Sequence, residues 1–182
     1  RDTISPRLKD GKVVLDSIDF TAEYLKKLRK IYFVACGSAY YVSLLAKYVI
    51  EKTCRIPTET LLASEFRYSH PVVDENDLVV IISQSGETAD SLAALREAKR
   101  LGAKTMAIVN VVGSAIAKAA DQTIYTWAGP EIAVATTKAF STQLAVIYLL
   151  ALRMSELLGT MSKEDYDRIV AQLELLPGQV ER

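Results

Sequence analysis

Five short apolar segments alternate with segments of helical periodicity, and this alternation constrains the fold more than any other feature of the chain. The apolar segments begin at residues 31, 58, 78, 105 and 123, and they read IYFVA, TETLL, LVVII, TMAIV and TIYTW. Strands that alternate with helices are typical of a parallel sheet covered by helices on both faces. The central segments are continuously apolar and β-branched, which favours burial of both faces and argues against an antiparallel sandwich.

The segments between the strands have the spacing of amphipathic helices. After the first strand, apolar residues recur at i, i+3, i+4, i+7 and i+8, namely at Tyr41, Leu44, Leu45, Tyr48 and Val49. Beyond the fifth strand, the sequence predicts a long helix from about Thr136 to Leu158 and a last helix from Ser162. The predicted fold is therefore α/β, a three-layer α/β/α domain with a five-stranded parallel sheet of flavodoxin-like order 2-1-3-4-5.

Charge and composition exclude several classes of function. The 182 residues include 22 Lys and Arg against 22 Asp and Glu, so the chain has no basic stripe for nucleic acid or anionic lipid. The longest apolar run, residues 144–152, has nine residues, whereas a membrane span needs about 20, so we expect a buried helix. Cys36 and Cys54 have no CxxC spacing, which indicates neither a zinc site nor a disulfide framework and favours the cytoplasm.

Two polar turns follow the first and third predicted strands. The first reads CGSAY from Cys36 and the second reads SQSGET from Ser83. In an open parallel sheet of the predicted order, ligands bind beyond the carboxyl ends of these two strands, because the connections there leave on opposite faces. Each turn opens a helix, whose start carries unpaired backbone N–H groups and about half a positive charge. The two turns therefore predict a site for an anion.

The SQSGET turn carries three hydroxyl groups that would strengthen such a site. Ser83, Ser85 and Thr88 would add donors, and Gly86 would let the backbone come close to a ligand. The turn lacks the lysine of a P-loop, and neither turn contains GxGxxG, so a phosphate ester of a small molecule is favoured over a nucleotide. An ordinary strand-to-helix turn, with Ser85 or Thr88 as an N-cap, explains the same residues, and the sequence leaves both interpretations open.

A third polar segment, VATTKAFSTQ at residues 134–143, opens the long helix. Thr136 and Thr137 either face the same crevice or cap the helix, and their spacing does not separate the two. Cys36 lies at a strand end with no histidine near it in the sequence. We therefore interpret Cys36 as a small buried residue and not as a nucleophile.

Few titratable residues lie near the predicted crevice. His70 is the only histidine, and its position beside a proline predicts a solvated surface loop. Glu65 and Arg67 are expected to form a structural ion pair on a short helix. Glu87 and Glu131 lie nearer the crevice, but the sequence identifies no partner for either of them.

Four motifs in order, ACGSAY, ASEFRY, SQSGETAD and VATTKAFSTQ, closely resemble a known family. They resemble the first of two sugar isomerase (SIS) domains in the glutamine–fructose-6-phosphate aminotransferases, also called glucosamine-6-phosphate synthases. The resemblance covers nearly the whole chain. It implies that residues 1–16 are the remnant of a linker after a missing glutaminase domain. Residues 17–182 would then be the first SIS domain, with the second SIS domain of the full-length chain also missing.

The resemblance also implies a set of substrate-binding residues. The three hydroxyls of the SQSGET turn would hold the phosphate, while Gln84 and Ser38 would line the sugar. Val134 and Thr136 would lie on the opposite wall. The implied set is Ser38, Ser83, Gln84, Ser85, Thr88, Val134 and Thr136. The family more often has serine where this chain has Ala39, so one hydroxyl contact is expected to be missing there.

The complete enzyme of this family converts fructose 6-phosphate and glutamine to glucosamine 6-phosphate and glutamate without metal or organic cofactor. Its Schiff-base lysine, proton-transferring glutamate and ring-opening histidine belong to the second SIS domain and the dimer partner. The resemblance therefore implies no catalytic residue and no metal ligand in this chain. We expect the chain to bind fructose 6-phosphate or glucosamine 6-phosphate and not to catalyse the reaction alone.

Two alternatives from other classes stay open, a noncatalytic phosphosugar-sensing SIS module and a single-domain phosphosugar isomerase. A sensor in a repressor would carry DNA-binding helices before the fold, where this chain has a linker-like start. An isomerase would need its own base, for which His70 and Glu65 are weak candidates. The apolar faces of the long helix and of residues 43–50 also predict a homodimer.

Overall fold

The structure is a computed structural model that describes residues 1–132 and 136–180. Its strands are β1 (Leu8–Lys9), β2 (Lys12–Val13), β3 (Lys30–Ala35), β4 (Thr58–Leu62), β5 (Asp77–Ser83), β6 (Lys104–Val109) and β7 (Gln122–Tyr125). The first two form a small antiparallel hairpin. The other five form one parallel sheet in the order β4-β3-β5-β6-β7, which confirms the predicted order 2-1-3-4-5.

Helices cover both faces of this sheet, as predicted. They are α1 (Ala22–Lys27), α2 (Ser38–Cys54), α3 (Ala63–Phe66), α4 (Ala89–Arg100), α5 (Ala115–Ala119), α6 (Lys138–Leu158) and α7 (Lys163–Val180). Helices α1, α2, α6 and α7 share one face, and α3, α4 and α5 share the other. The three-layer α/β/α prediction is therefore confirmed.

Two apolar cores lie on opposite sides of the sheet. Successive side chains of a strand point to opposite faces, so each strand serves both cores. In β3, Phe33 and Ala35 pack beneath α2 and α6, whereas Tyr32 and Val34 pack beneath the other helical layer. Every residue of β5 is buried, which explains why this strand reads as a continuous apolar run.

The long helix α6 is a core helix, as its apolar run predicts. It is long and apolar enough to cross a membrane by length and composition alone, but 56% of its most apolar window is buried inside the structure. The run at residues 144–152 supplies most of this buried surface. The helix begins at Lys138, two residues later than expected, and ends at Leu158. Gly159 follows it with the left-handed backbone that is favoured just after a helix.

The fifth strand of the sheet ends at Tyr125, two residues earlier than predicted. The chain leaves the sheet there because Thr126 turns its hydroxyl to Asn110 Oδ1, at 3.0 Å. The same oxygen also accepts the N–H of Ala128, at 2.8 Å. Trp127 between them has a positive φ of 53°, which an extended strand does not allow. Side-chain hydrogen bonds thus end a strand that local propensity would have extended.

The amino-terminal segment packs against the domain. Ile4, Val13 and Leu15 are buried in the core beneath α6. Thr3 donates its hydroxyl to the carbonyl of Thr126, at 2.6 Å, and so joins this segment to the end of β7. The assignment of residues 1–16 to an interdomain linker stays a prediction, but these residues contribute to the core.

Candidate functional site

The carboxyl ends of β3 and β5 lie side by side and open into a cavity of about 220 Å³. Its lining combines the ends of both strands with the starts of α2, α4 and α6. The lining residues are Cys36, Gly37, Ser38, Ala39, Ile82, Ser83, Gln84, Ser85, Thr88, Ser91, Thr136 and Gln143. Six of the seven residues that were predicted to bind the substrate therefore line one cavity. The seventh, Val134, lies outside the described residues.

The hydroxyl groups of the SQSGET turn are linked to one another and to the backbone. Ser83 Oγ lies 3.2 Å from Thr88 Oγ1 and accepts the N–H of Gly86, at 3.1 Å. Ser85 Oγ accepts the N–H of Glu87, at 3.2 Å. Thr88 occupies the N-cap position of α4, yet its hydroxyl makes no capping bond. The N-cap interpretation therefore does not account for Thr88, whereas an ordinary turn bond does account for one contact of Ser85.

Backbone N–H groups, and not cationic side chains, would attract an anion to the cavity. No described lining residue is Lys or Arg. The starts of α2 and α4 meet at the cavity, and neither has a side-chain cap for its first N–H groups. Each helix start carries about half a positive charge and favours an anion. The volume lies below the range of about 300–1,000 Å³ that is typical for drug-sized ligands, so it suits a small one.

Gly86 is required by the packing of its turn, a reason that the sequence does not reveal. Its φ is +66°, and a Cβ built on it would lie 2.1 Å from Ser114 Oγ. The carbonyl of Gly86 also accepts the N–H of Ile116, at 2.9 Å. The missing side chain therefore lets the turn pack against the loop after β6. The expected close approach of a ligand to Gly86 stays a prediction.

The two glutamates near the cavity bind helix starts. Glu87 Oε1 accepts the N–H of Ala115, at 2.8 Å, and so caps the beginning of α5. Glu131 Oε2 accepts the N–H of Ala139, at 3.3 Å, in the first turn of α6. No described residue that lines the cavity is Asp, Glu, His or Lys. The cavity therefore offers hydrogen-bond donors and acceptors without a positioned general base.

The short helix α3 and the loop after it lie outside this cavity. His70 is exposed in that loop, as predicted, with a φ of 49°. The predicted ion pair between Glu65 and Arg67 is wrong, because the guanidinium of Arg67 lies 4.6 Å from the ring centre of Tyr68 instead. Residues two apart on a helix face different directions, which prevents the pairing.

Three lining residues with polar or sulfur-bearing side chains were not predicted as part of the site. Cys36 is half-buried, and its sulfur lies on the cavity wall near Ser91 Oγ, at 4.0 Å. Cys36 packs against the core but is only partly buried, and the interpretation that it is not a nucleophile stays a prediction. Ser91 and Gln143 are polar side chains that are 1% and 2% exposed. Gln143 had a detectable signal, since it occupies a position of the apolar stripe of α6 between Ala139 and Ile147.

A larger cavity of about 770 Å³ lies beside Arg7, Asn110 and Trp127. Burial lowers the pKa of Arg7 below its usual value. Its guanidinium donates to the carbonyls of Thr3 and Tyr125 and so fastens the amino-terminal segment to the end of β7. This cavity lacks the hydroxyl cluster, and its arginine is already engaged with backbone.

Comparisons with known proteins agree with this architecture. The SIS domain family model matches residues 24–153. Glutamine–fructose-6-phosphate aminotransferase (isomerizing) of Clostridium tetani is 51% identical over 183 residues, covering 100% of this chain and 30% of that protein. The solved C-terminal domain of glucosamine-fructose-6-phosphate aminotransferase from Francisella tularensis is 39% identical, with a TM-score of 0.87 over 95% of this chain and 48% of that chain.

A second solved structure shares the fold with a lower identity. Glucosamine-6-phosphate deaminase from Thermotoga maritima is 28% identical, with a TM-score of 0.68 over 82% of this chain and 46% of that chain. This chain spans about 30% of the length of the curated relatives that it matches. The resemblance drawn from the four motifs is confirmed by the identity of about half to the matching part of the glutamine–fructose-6-phosphate aminotransferases, and the chain belongs to the SIS domain family.

Proposed function

We propose that this chain binds a hexose 6-phosphate, either fructose 6-phosphate or glucosamine 6-phosphate, within a glutamine–fructose-6-phosphate aminotransferase. The observation that carries the proposal is the cluster of Ser83, Ser85 and Thr88 between two uncapped helix starts. The names of the similar proteins, which include an aminotransferase and a deaminase of sugar phosphates, support the same ligand class.

The phosphate is expected at the start of α4 and the sugar between the other walls. Ser83, Ser85 and Thr88 line the cavity, and α4 begins directly after Thr88. Ser38 at the start of α2, Gln84 and Thr136 are then left for the sugar hydroxyls, and Val134 is proposed to join them. A phosphate dianion accepts only, so a wall of donors suits it better than a wall of mixed groups.

The chain is proposed to supply binding and not turnover. Imine formation and proton transfer need a nucleophilic amine and a positioned base. The described lining residues offer no amine and no carboxylate, and His70 lies in an exposed loop outside the cavity. We expect this chain to make no glucosamine 6-phosphate from fructose 6-phosphate and ammonia. Turnover by the isolated chain, measured as amino sugar formed, would contradict this division of roles.

The rest of the enzyme is proposed to come from other domains. A glutaminase domain before this chain and a second SIS domain after it would supply ammonia and the catalytic residues. The share of about 30% of the relatives' length is consistent with such a larger protein. We further propose a homodimer, action in the cytoplasm, and no cofactor.

Calorimetric titration with fructose 6-phosphate tests the proposal. Replacing Ser85 by alanine removes one hydrogen bond to a charged group, so binding should weaken by about 1.5–3 kcal/mol. Ser141→Ala is a suitable control, because Ser141 is an exposed residue of α6 whose hydroxyl donates to Thr137 within the helix. If the unaltered chain binds no hexose 6-phosphate, or if the Ser85 variant binds as tightly as the control, the proposed site is wrong.

A further inference from the structure

Gln143 is a deeply buried polar residue in the wall of the candidate site. It lies in the second turn of α6 and is 2% exposed. Its side-chain amide makes no hydrogen bond to another residue in the part of the chain that the structure describes. Its side chain lines the same cavity as the SQSGET turn. The neighbouring positions on this face of the helix are apolar, so Gln143 interrupts a stripe that otherwise serves the core.

Most buried polar groups in folded proteins are paired. The Gln143 amide is not among the described polar atoms that are fully enclosed without a partner, so it faces the open space of the cavity. An apolar side chain of similar size would serve at a position where packing alone mattered. The polar group therefore indicates a partner that comes from the cavity side.

The chemistry of the amide specifies the kind of partner. An amide offers two N–H donors and one carbonyl acceptor. A sugar hydroxyl also both donates and accepts, whereas a phosphate dianion only accepts. The amide is therefore better matched to the sugar than to the phosphate, which the hydroxyl cluster and the helix starts already suit.

Helix α2, which lies in the same helical layer as α6, has an apolar residue where it reaches the cavity. Ala39, at the start of α2, lines the cavity with a methyl group only. Helices α2 and α6 pack directly against each other on one face of the sheet. A polar contact from this layer can thus come from Gln143 where Ala39 provides none.

We propose that Gln143 determines sugar specificity by hydrogen bonding to a hydroxyl of the bound hexose phosphate. The proposal rests on the function proposed above and adds a residue to that site. Gln143 would recognise the sugar, and the SQSGET turn would recognise the phosphate ester.

Replacement of Gln143 by methionine tests the proposal, because methionine keeps the length and removes both polar groups. Fructose 6-phosphate should bind about tenfold more weakly, which is the size of one net hydrogen bond. Methyl phosphate, an ester without hydroxyls, should bind unchanged. The ligand-free variant should melt within about 2 °C of the unaltered chain, because methionine fills nearly the same space as glutamine. Binding is measured by calorimetric titration and melting by circular dichroism.

Gln122→Met is the matched control. Gln122 is 9% exposed, has an unpaired buried Oε1, and lies at the amino end of β7, away from the cavity. Its variant should be stabilised, because a fully buried oxygen without a partner is removed, but its affinity for fructose 6-phosphate should not change. Gln143→Asn shortens the amide by one methylene and provides a second variant if the methionine variant fails to fold.

The outcomes separate this inference from the proposed function. Unchanged affinity for fructose 6-phosphate in either Gln143 variant overturns the role of Gln143 while the site itself stands. Equal loss of fructose 6-phosphate and methyl phosphate also overturns it, since that result indicates a distorted cavity. If the unaltered chain binds neither compound, the proposed function is wrong and the inference is rejected with it.

Discussion

Ser83 occupies the centre of the hydroxyl cluster, where it touches both another side chain and the backbone of its own turn. Its oxygen lies near Thr88 Oγ1 and accepts the N–H of Gly86. One proton of the Ser83–Thr88 pair is used in the bond between the two hydroxyls, and the other is left for donation, so these bonds orient the pair and keep one donor for a ligand. At the residue scale, the site is thus prepared by short-range hydrogen bonds and by backbone dipoles instead of by cationic side chains.

Asp121 provides a test of pH-dependent stability at a single residue. Its Oδ2 accepts the N–H and the hydroxyl of the buried Thr105, at 2.8 and 2.7 Å, and Lys99 lies 2.7 Å from its Oδ1. Burial raises the pKa of Asp121, but the hydrogen bonds from Lys99 and Thr105 together lower the pKa by more than burial raises it. The pKa of Asp121 therefore lies below its usual value.

Asp121→Ala is expected to lower the free energy of unfolding by about 1–3 kcal/mol at pH 7, because the N–H of Thr105 loses its partner. A lowered folded pKa means that the carboxylate stabilises the fold above about pH 4 and that this contribution is lost as the pH falls through the folded pKa. The difference between the two proteins in urea unfolding should therefore shrink below pH 4. Asp19→Ala, at a carboxylate that is 79% exposed, should change stability by no more than about 0.5 kcal/mol. An equal difference at pH 7 and pH 3 would contradict the assignment.

The two cysteines should differ in reactivity. Burial raises the pKa of the Cys54 thiol to about 11, and its sulfur donates to the carbonyl of Ala151. Cys36 is half-buried on the cavity wall. We expect iodoacetamide at pH 8 to modify Cys36 alone in the folded protein, since the thiolate is the reactive form. Mass spectrometry of the digested protein measures this, and fructose 6-phosphate should slow the reaction if it occupies the cavity.

Denaturant provides the control for the thiol experiment, because both cysteines should react once the chain is unfolded. Because burial disfavours the Cys54 thiolate in the folded protein, the free energy of unfolding should fall as the pH rises from about 8.5 towards the folded pKa of about 11. Rapid modification of Cys54 under native conditions would contradict the expected difference between the two thiols.

The strand β5 and the helix α4 act together at the scale of elements. The strand ends at Ser83, and the turn then reverses direction to begin α4 at Ala89. Gly86 in this turn meets the side chain of Ser114 from the loop after β6. The neighbouring strand connection therefore supports the turn and fixes where the first N–H groups of α4 point.

Gly86→Ala tests this support. The variant should lose more than about 2 kcal/mol of stability, because it combines a left-handed backbone, which costs about 1–2 kcal/mol for a non-glycine residue, with a clash against Ser114. Gly159→Ala is the matched control, since Gly159 has a φ of +67° but no atom within 4 Å of the place that an added Cβ would occupy. Its cost should be that of the backbone alone. Equal costs for the two variants in urea unfolding would argue against close packing at Gly86.

At the scale of the whole molecule, one helical layer leaves a row of large apolar side chains exposed. Tyr41, Leu45 and Tyr48 of α2 are 62%, 44% and 70% exposed, and Tyr148 of α6 is 41% exposed. The spacing of the first three places them on one face of the helix. Contiguous exposed apolar residues are typical of interaction surfaces, so this face is where we propose that the homodimer forms.

Tyr48→Lys should weaken self-association about tenfold or more, because it places a charge in the proposed contact. Sedimentation velocity at several protein concentrations measures the effect. Val72→Lys is the control, since Val72 is 78% exposed on a loop elsewhere and its variant should associate like the unaltered protein. A chain that stays monomeric at all concentrations would contradict the homodimer proposal.

Local patterns in the sequence predict most of the fold. The continuously apolar run at residues 78–82 reflects a strand with helices on both sides, and the strand order follows from the rules of parallel sheets. The site position follows from the same rules, because the two polar turns lie where such sheets bind ligands. Boundaries are less predictable, since β7 ends early through bonds between Thr126 and Asn110.

The sequence does not reveal contacts between residues that lie far apart along the chain. Glu87 binds the N–H of Ala115, 28 residues away, and Gly86 meets Ser114 at a similar separation. Gln143 joins the site only because α6 packs on α2. The sequence by itself determined the elements, their order and the edge that carries the site, because hydrophobic period and turn chemistry act over a few residues. Only the tertiary structure decided which polar groups meet in the cavity, since contacts between distant residues depend on how the helices pack against the sheet.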